Sequence, residues 1–146
     1  MPRATEITGT VTANLWIAAD APDVNVFAML LDVAPDGSAT YVSDGRLRAS
    51  WRATHDLDWP GATRTWHRGY AEDIAPLDEG EPTLLTFDFF PTSYRVPAGH
   101  RLKLAVTTGI GEDYQQPPLA NGQPVTLTLL TGGQHASSLS VPMQPR

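Results

Sequence analysis

The side chains able to do covalent chemistry are few and scattered. A nucleophilic hydrolase needs a serine or cysteine on a sharp turn, commonly G-x-S-x-G, with a histidine base and a carboxylate to orient it. The chain has no cysteine, and none of its seven serines stands in that motif or in S-x-x-K. Ser137 and Ser138 lie near His135, but in a short tail segment that offers no strained elbow. His55, His67, His100 and His135 form no H-x-x-x-H or H-E-x-x-H pair, the spacing that brings two imidazoles to one metal. Acids are plentiful, yet no D-x-D-x-D-G loop is present for calcium, and no spacing supports a glycosidase carboxylate pair. The glycines at Gly109-Ile110-Gly111 lack the third glycine and the helix that cradle a phosphate. The expectation is a chain with no catalytic residues, no metal and no cofactor of its own.

The residues with the clearest pattern are basic. Residues 44–52 read DGRLRASWR, a turn followed by alternation. An extended strand here would put Arg46, Arg48, Ser50 and Arg52 on one face and Leu47, Ala49 and Trp51 on the other. A desolvated guanidinium needs a carboxylate or carbonyl partner. The row therefore has two structural uses: pairing inside the domain, for instance with the acidic run AEDIAPLDEGE at residues 71–81, or docking a neighbouring domain. A solvated face with weak ion pairs is the third reading. Gly99-His100-Arg101 has the form of a turn, with His100 as a hydrogen-bonding turn residue and Arg101 a further candidate for an ion pair or interface.

The elements that would position these groups read as strands. Val11, Ala13, Leu15 and Ile17 share one face of the first, and VNVFAMLLDV at residues 24–33 is apolar on both faces. Ala34-Pro35-Asp36-Gly37 is a strong turn, after which the chain returns through Thr40 to Trp51. Further alternation appears at Leu85, Phe87 and Phe89; at Leu102, Leu104 and Val106; at Val125, Leu127 and Leu129; and at Leu139 and Val141. No segment keeps a helical period over three turns. The pattern predicts an all-β fold, an antiparallel β-sandwich of jelly-roll type, in one domain spanning residues 1–146. Residues 53–82 break it, with three prolines, three glycines, Trp59, Trp66, His55, His67 and Tyr70. A stretch that long without periodicity covers or binds something.

Bulk properties narrow the function. With 146 residues, 41% hydrophobic, the chain can bury a real core. A net charge of −6 argues against nucleic acid as a partner, despite five arginines in residues 46–68. No apolar run approaches the ~20 residues of a membrane-spanning helix. MPRATEITG lacks the charged-then-apolar character of a secretion leader, so the expected location is cytoplasmic.

Three stretches, in order, resemble the C-terminal domain of the X-Pro dipeptidyl-peptidase and cocaine-esterase family of serine hydrolases. Residues 5–52 are similar to the family's opening hairpin, in which a T-G-x-V strand leads to S/A-x-A-P-D, L-x-D-V-x-P-D-G and D-G-x-L-R-A. Residues 76–106, PLDEGEPTLLTFDFFPTSYRVPAGHRLKLAV, resemble its P-L-x-P-G-E run and P-T-S-x-x-F-x-A-G-H-R-L-x-L signature, and HASSLSVP at residues 135–142 resembles its closing strand. The resemblance implies a galactose-binding-like jelly roll beside an α/β-hydrolase domain that carries the Ser-Asp-His triad. None of that triad maps onto this chain. Family members cleave acyl bonds in X-Pro peptides, esters such as cocaine, or β-lactam side chains. Two departures stand out: Asp23-Val24-Asn25 where the family often has D-T-D, and TGIGEDYQQPP, at 108–118, where it tends to have S-S-x-F-P. Met1 stands almost at the domain boundary, which fits an excised domain, a truncated product or a free-standing relative.

The leading expectation is thus a non-catalytic accessory domain that supports a hydrolase domain and walls its substrate cleft, with a homo-oligomer as a further option. Two alternatives remain. A carbohydrate-binding module would use an aromatic patch of Trp59, Trp66 and Tyr70, with Tyr94 and Tyr114 in further loops. A protein-interaction sandwich would dimerise through the two-faced apolar strand at residues 24–33.

Overall fold

The computed structural model describes residues 1–57, 65–109 and 117–145. Eleven strands carry the described part of the chain: β1 (Thr5–Gly9), β2 (Thr12–Ala19), β3 (Asn25–Val33), β4 (Ala39–Arg48), β5 (Thr83–Asp88), β6 (Thr92–Val96), β7 (Arg101–Thr107), β8 (Leu127–Gly132), β9 (His135–Ala136), β10 (Ser138–Ser140) and β11 (Met143–Pro145). Helical structure among these residues is limited to three short 3-10 turns at Ala49–Trp51, Ala71–Asp73 and Pro118–Ala120. The result is an all-β, antiparallel sandwich of jelly-roll type. Its ladders run β11-β1-β6, β4-β3-β7, and a sheet built on β2. One edge of β2 pairs with β5, while β10 and β8 share the other end to end.

Alternation sets the layers. In β2 the side chains of Ala13, Leu15, Ile17 and Ala19 are buried and those between them are half-buried. Leu85, Phe87 and Phe89 face them from the β5 side, and Val26, Ala28 and Leu30 of β3 complete the same apolar core. β3 is central, flanked by β4 and β7, and none of residues 24–33 is exposed. That corrects the expectation of a dimerising patch there: both edges of the strand are paired and both faces are covered. Leu102, Leu104, Val106, Val125, Leu127, Leu129, Leu139 and Val141 pack on the core from its margin and stay half-buried.

Gly45 lets the sheets meet. It bridges Phe89, and a Cβ there would stand 2.6 Å from the Phe89 ring and 2.9 Å from the Asp88 carbonyl, closer than side chains tolerate. The stretch from Ala53 to Pro82 has, in its described part, one isolated bridge between His55 and Trp66 and one 3-10 turn. It is held at many points. Thr65 N donates to Asp88, Ala75 N to Ser50 O, and Leu77 N to Pro22 O. Gly69, at φ +72°, takes a left-handed turn that lays its backbone against the Trp51 ring.

Candidate functional site

The predicted row of arginines is divided by the backbone. β4 ends at Arg48 and a 3-10 turn follows, so Ser50 and Arg52 leave the strand. Each cation then meets a different partner. Arg46 is exposed, 4.0 Å from Asp44 and over the Phe90 ring. Arg48 stacks over Trp51, and its Nε stands 3.0 Å from Asp23 Oδ2, an ion pair rather than an aligned hydrogen bond. Arg52 donates to the carbonyls of Ala49, Ala75 and Pro76, fastening the long loop to the end of the strand. Arg48 thus pairs with Asp23 outside the acidic run at 71–81, and Arg52 meets that run at the backbone carbonyls of Ala75 and Pro76. The counter-charge of the run is Arg68, which donates to both carboxylate oxygens of Asp73 and lies 3.7 Å from Glu72. The loop closes on its own cation because the two are five residues apart on one turn, whereas the strand face points elsewhere.

Asp23 is the buried anchor beneath this arrangement. It is fully inaccessible, and its oxygens accept Val24 N at 3.0 Å, Ser50 N at 2.9 Å and Ser50 Oγ at 2.8 Å. With Arg48 alongside, the carboxylate is both hydrogen-bonded and charge-paired, the condition for keeping an ion in an apolar interior. Asp32 is a second buried carboxylate, and nothing in the alternation of β3 singles it out. It accepts Tyr94 Oη and His100 Nδ1, each at 3.0 Å. Burial, followed by the bond to Asp32, pushes the Tyr94 hydroxyl above its ordinary range. His100 is thus tied to Asp32 beneath the turn, while Arg101 is exposed at the start of β7.

Three exposed or half-exposed carboxylates titrate low. Asp73 is held down by the Arg68 hydrogen bond, Asp20 by the Thr126 backbone N–H, and Asp36 by the Ser38 hydroxyl. His67 carries a different signature. Its Nδ1 lies 3.0 Å from the Ala53 carbonyl oxygen and its Nε2 3.0 Å from that of Thr86.

No nucleophile is assembled among the described residues. Ser137 Oγ accepts Trp16 N and donates to Leu130 O, a structural clamp between β2 and β8. His135 packs its ring on Trp16. No hydrogen bond joins a serine hydroxyl to a histidine there, and among the described residues no group of three or more His, Asp or Glu side chains is set to hold a metal ion. Of the aromatic residues, Trp66 and Tyr70 are exposed, with Arg68 over the Tyr70 ring. Tyr94 is half-buried in β6 rather than on a loop. Trp59 and Tyr114 lie outside the described residues.

Comparison with known proteins agrees with this architecture. Residues 1–140 match the X-Pro dipeptidyl-peptidase C-terminal non-catalytic domain. A putative serine esterase of Mycobacterium tuberculosis is 34% identical over 139 residues, which are 94% of this chain and 22% of the relative. The cocaine esterase of a Rhodococcus species is 30% identical over 103 residues, 70% of this chain and 15% of that protein. The chain thus spans about a fifth of the length of these relatives. Among solved structures, a CocE/NonD family hydrolase from Staphylococcus aureus superposes with a TM-score of 0.80 at 21% identity, covering 99% of this chain and 29% of the other. An α-amino acid ester hydrolase also gives 0.80, at 17% identity, with 99% and 24% covered. By sequence and by fold, the chain belongs to the family of non-catalytic C-terminal domains of X-Pro dipeptidyl-peptidases.

Proposed function

We propose that this domain braces the α/β-hydrolase domain of an acyl hydrolase of the esterase or dipeptidyl-peptidase kind and walls part of its substrate cleft. The match of residues 1–140 to a non-catalytic domain family carries the reading. The geometry supports it, since the buried carboxylates Asp23 and Asp32 are spent on holding the domain's own backbone and side chains. Arg48, Arg52 and His100 are likewise engaged inside the domain. We assign docking to the exposed side chains about β4, where Arg46 lies over Phe90 and Tyr41 donates to Asp44. Tyr41 and Phe90 are 55% and 57% exposed, the kind of aromatic anchors on which interfaces depend.

Two measurements test the reading. A fluorophosphonate probe is expected to leave the chain unlabelled, and stoichiometric labelling would overturn the non-catalytic role. Expressed with an α/β-hydrolase domain of this family, the chain is expected to co-purify one-to-one. Replacing Tyr41 and Phe90 together by alanine is expected to weaken that complex at least about tenfold. An unchanged affinity removes these side chains from the interface. A second reading, a sugar-binding role, draws on the exposure of Trp66 and Tyr70. A glycan array on the Trp66→Ala, Tyr70→Ala pair against the parent chain decides it.

A further inference from the structure

Three places in the sequence join an aspartate or asparagine to glycine: Asp36-Gly37, Asp44-Gly45 and Asn121-Gly122. Such pairs can close an imide ring on themselves, because glycine has no side chain to keep its backbone nitrogen away from the preceding side-chain carbonyl carbon. The fold locks two of them. Asp36 accepts the Ser38 N–H at 2.9 Å and its hydroxyl at 2.7 Å, and Gly37 N donates to Ala34 O at 2.9 Å. Asp44 accepts the Tyr41 hydroxyl, its main-chain carbonyl accepts Phe90 N at 2.9 Å, and Gly45 is held opposite Ala28 against the Phe89 ring.

Asn121-Gly122 is open by comparison. The pair follows the 3-10 turn at Pro118–Ala120, and both residues are exposed. Asn121, at φ +49°, is the only non-glycine residue at positive φ among the described residues, and Gly122 follows at φ +70°. Two such residues in succession make a tight turn, closed here by Gln123 N donating to Ala120 O at 3.0 Å. Nothing described stands within 4 Å of the place a Gly122 Cβ would take.

We propose that Asn121-Gly122 is a site of spontaneous modification, where the chain converts its own asparagine to isoaspartate and aspartate. Rotation about the Asn121 Cα–C bond breaks the Gln123–Ala120 bond and brings Gly122 N to Asn121 Cγ. Gly122 N gives its proton to solvent base and bonds to Cγ. The Cγ–Nδ2 bond breaks, and Nδ2 takes up a proton and leaves as ammonia. Water then adds to one of the two carbonyl carbons of the imide. Breaking the bond from Gly122 N to the main-chain carbonyl carbon gives isoaspartate, and breaking the bond to Cγ gives aspartate. Either product adds a negative charge to a chain already at −6. Isoaspartate also lengthens the main chain by one methylene, next to buried Ala120 and to Leu119, which shares a cavity wall with Asp23 and Arg48. Neither the docking surface nor the accessory role enters this reasoning.

The intact chain, held at 37 °C across pH 7–9, is followed by intact mass and by peptide mapping, with isoaspartate marked by a protein isoaspartate methyltransferase. The mass gain of an amide-to-acid conversion is expected in the Asn121 peptide, with isoaspartate the larger share and a rate proportional to hydroxide. Asn121→Gln, whose longer side chain would have to close a six-membered ring, is expected to lose the product. The free peptide of residues 117–125 serves as a reference that needs no variant to fold. A rate at Asn121 more than about tenfold below that of the peptide would show the turn protecting the site and overturn the proposal. Isoaspartate forming at Asp36 or Asp44 as fast as at Asn121 would overturn the selection made by the fold. Its absence from Asn121 throughout would end the proposal.

Discussion

Asp23 shows what a single residue does here. It sits in Ala-Pro-Asp between β2 and β3, and it is the most buried charge among the described residues. Its hydrogen-bond partner Ser50 is 27 positions away, and Arg48 approaches from the same return strand. Replacing Asp23 by alanine would leave the Ser50 N–H, the Ser50 hydroxyl and the Arg48 guanidinium unpaired. The expected loss is about 3–5 kcal/mol of folding stability, measured as a lower urea midpoint. Ser50→Ala, which leaves Arg48 and the two backbone donors in place, should cost only about 1 kcal/mol. Equal losses would mean that Arg48 is not the ion that Asp23 compensates. Asp32 escapes sequence reading for a related reason. An acid within an apolar strand has no local signal, because Tyr94 and His100 reach it from 62 and 68 positions away.

At the scale of an element, the described part of the long segment 53–82 is a strap rather than an open loop. Arg52 and His67 fix it by carbonyl bonds, Thr65 by Asp88, and the Arg68–Asp73 pair by charge. Arg68, Glu72, His55 and Tyr70 are the titratable groups around Asp73, and Arg68 dominates its shift. Asp73 titrates below the ordinary carboxylate value of 3.8, so the folded strap favours its ionised form. That contribution is present above about pH 4 and is lost as the pH falls and Asp73 is protonated. At pH 3, amides of residues 65–77 are expected to exchange before those of β2 and β3, seen by hydrogen exchange with mass spectrometry. Simultaneous loss of protection in strap and core would show that the pair does not hold the strap. The aperiodic composition of this segment is legible from sequence, and its anchoring is not, since each anchor belongs to another element. The arginine row fails as a unit for the same reason: whether β4 continues past Arg48 depends on Ser50 being drawn to Asp23.

At the scale of the whole molecule, the accessory role predicts linkage between docking and folding. A hydrolase domain that binds only the folded sandwich raises its stability by mass action, about 2.7 kcal/mol at a concentration one hundred times Kd. The thermal midpoint of this chain should therefore climb with added hydrolase domain, and the Tyr41, Phe90 double alanine variant should cut the climb to about half or less. A midpoint that never moves would mean that no such surface is presented. What the sequence determined by itself is the layering: strand alternation at Ala13–Ile17 and Leu85–Phe89, the turn at Pro35-Asp36-Gly37, and the ordered stretches that carry the family. Those signals are local, because the two-residue period of a strand and the backbone demands of a turn are written in adjacent residues. Only the tertiary structure decided which charges pair, that Trp51 keeps an unmatched donor, and that Gly45 must be bare beneath Phe89. Such contacts join positions tens of residues apart, where no periodicity reaches and only the packed fold brings donor and acceptor together.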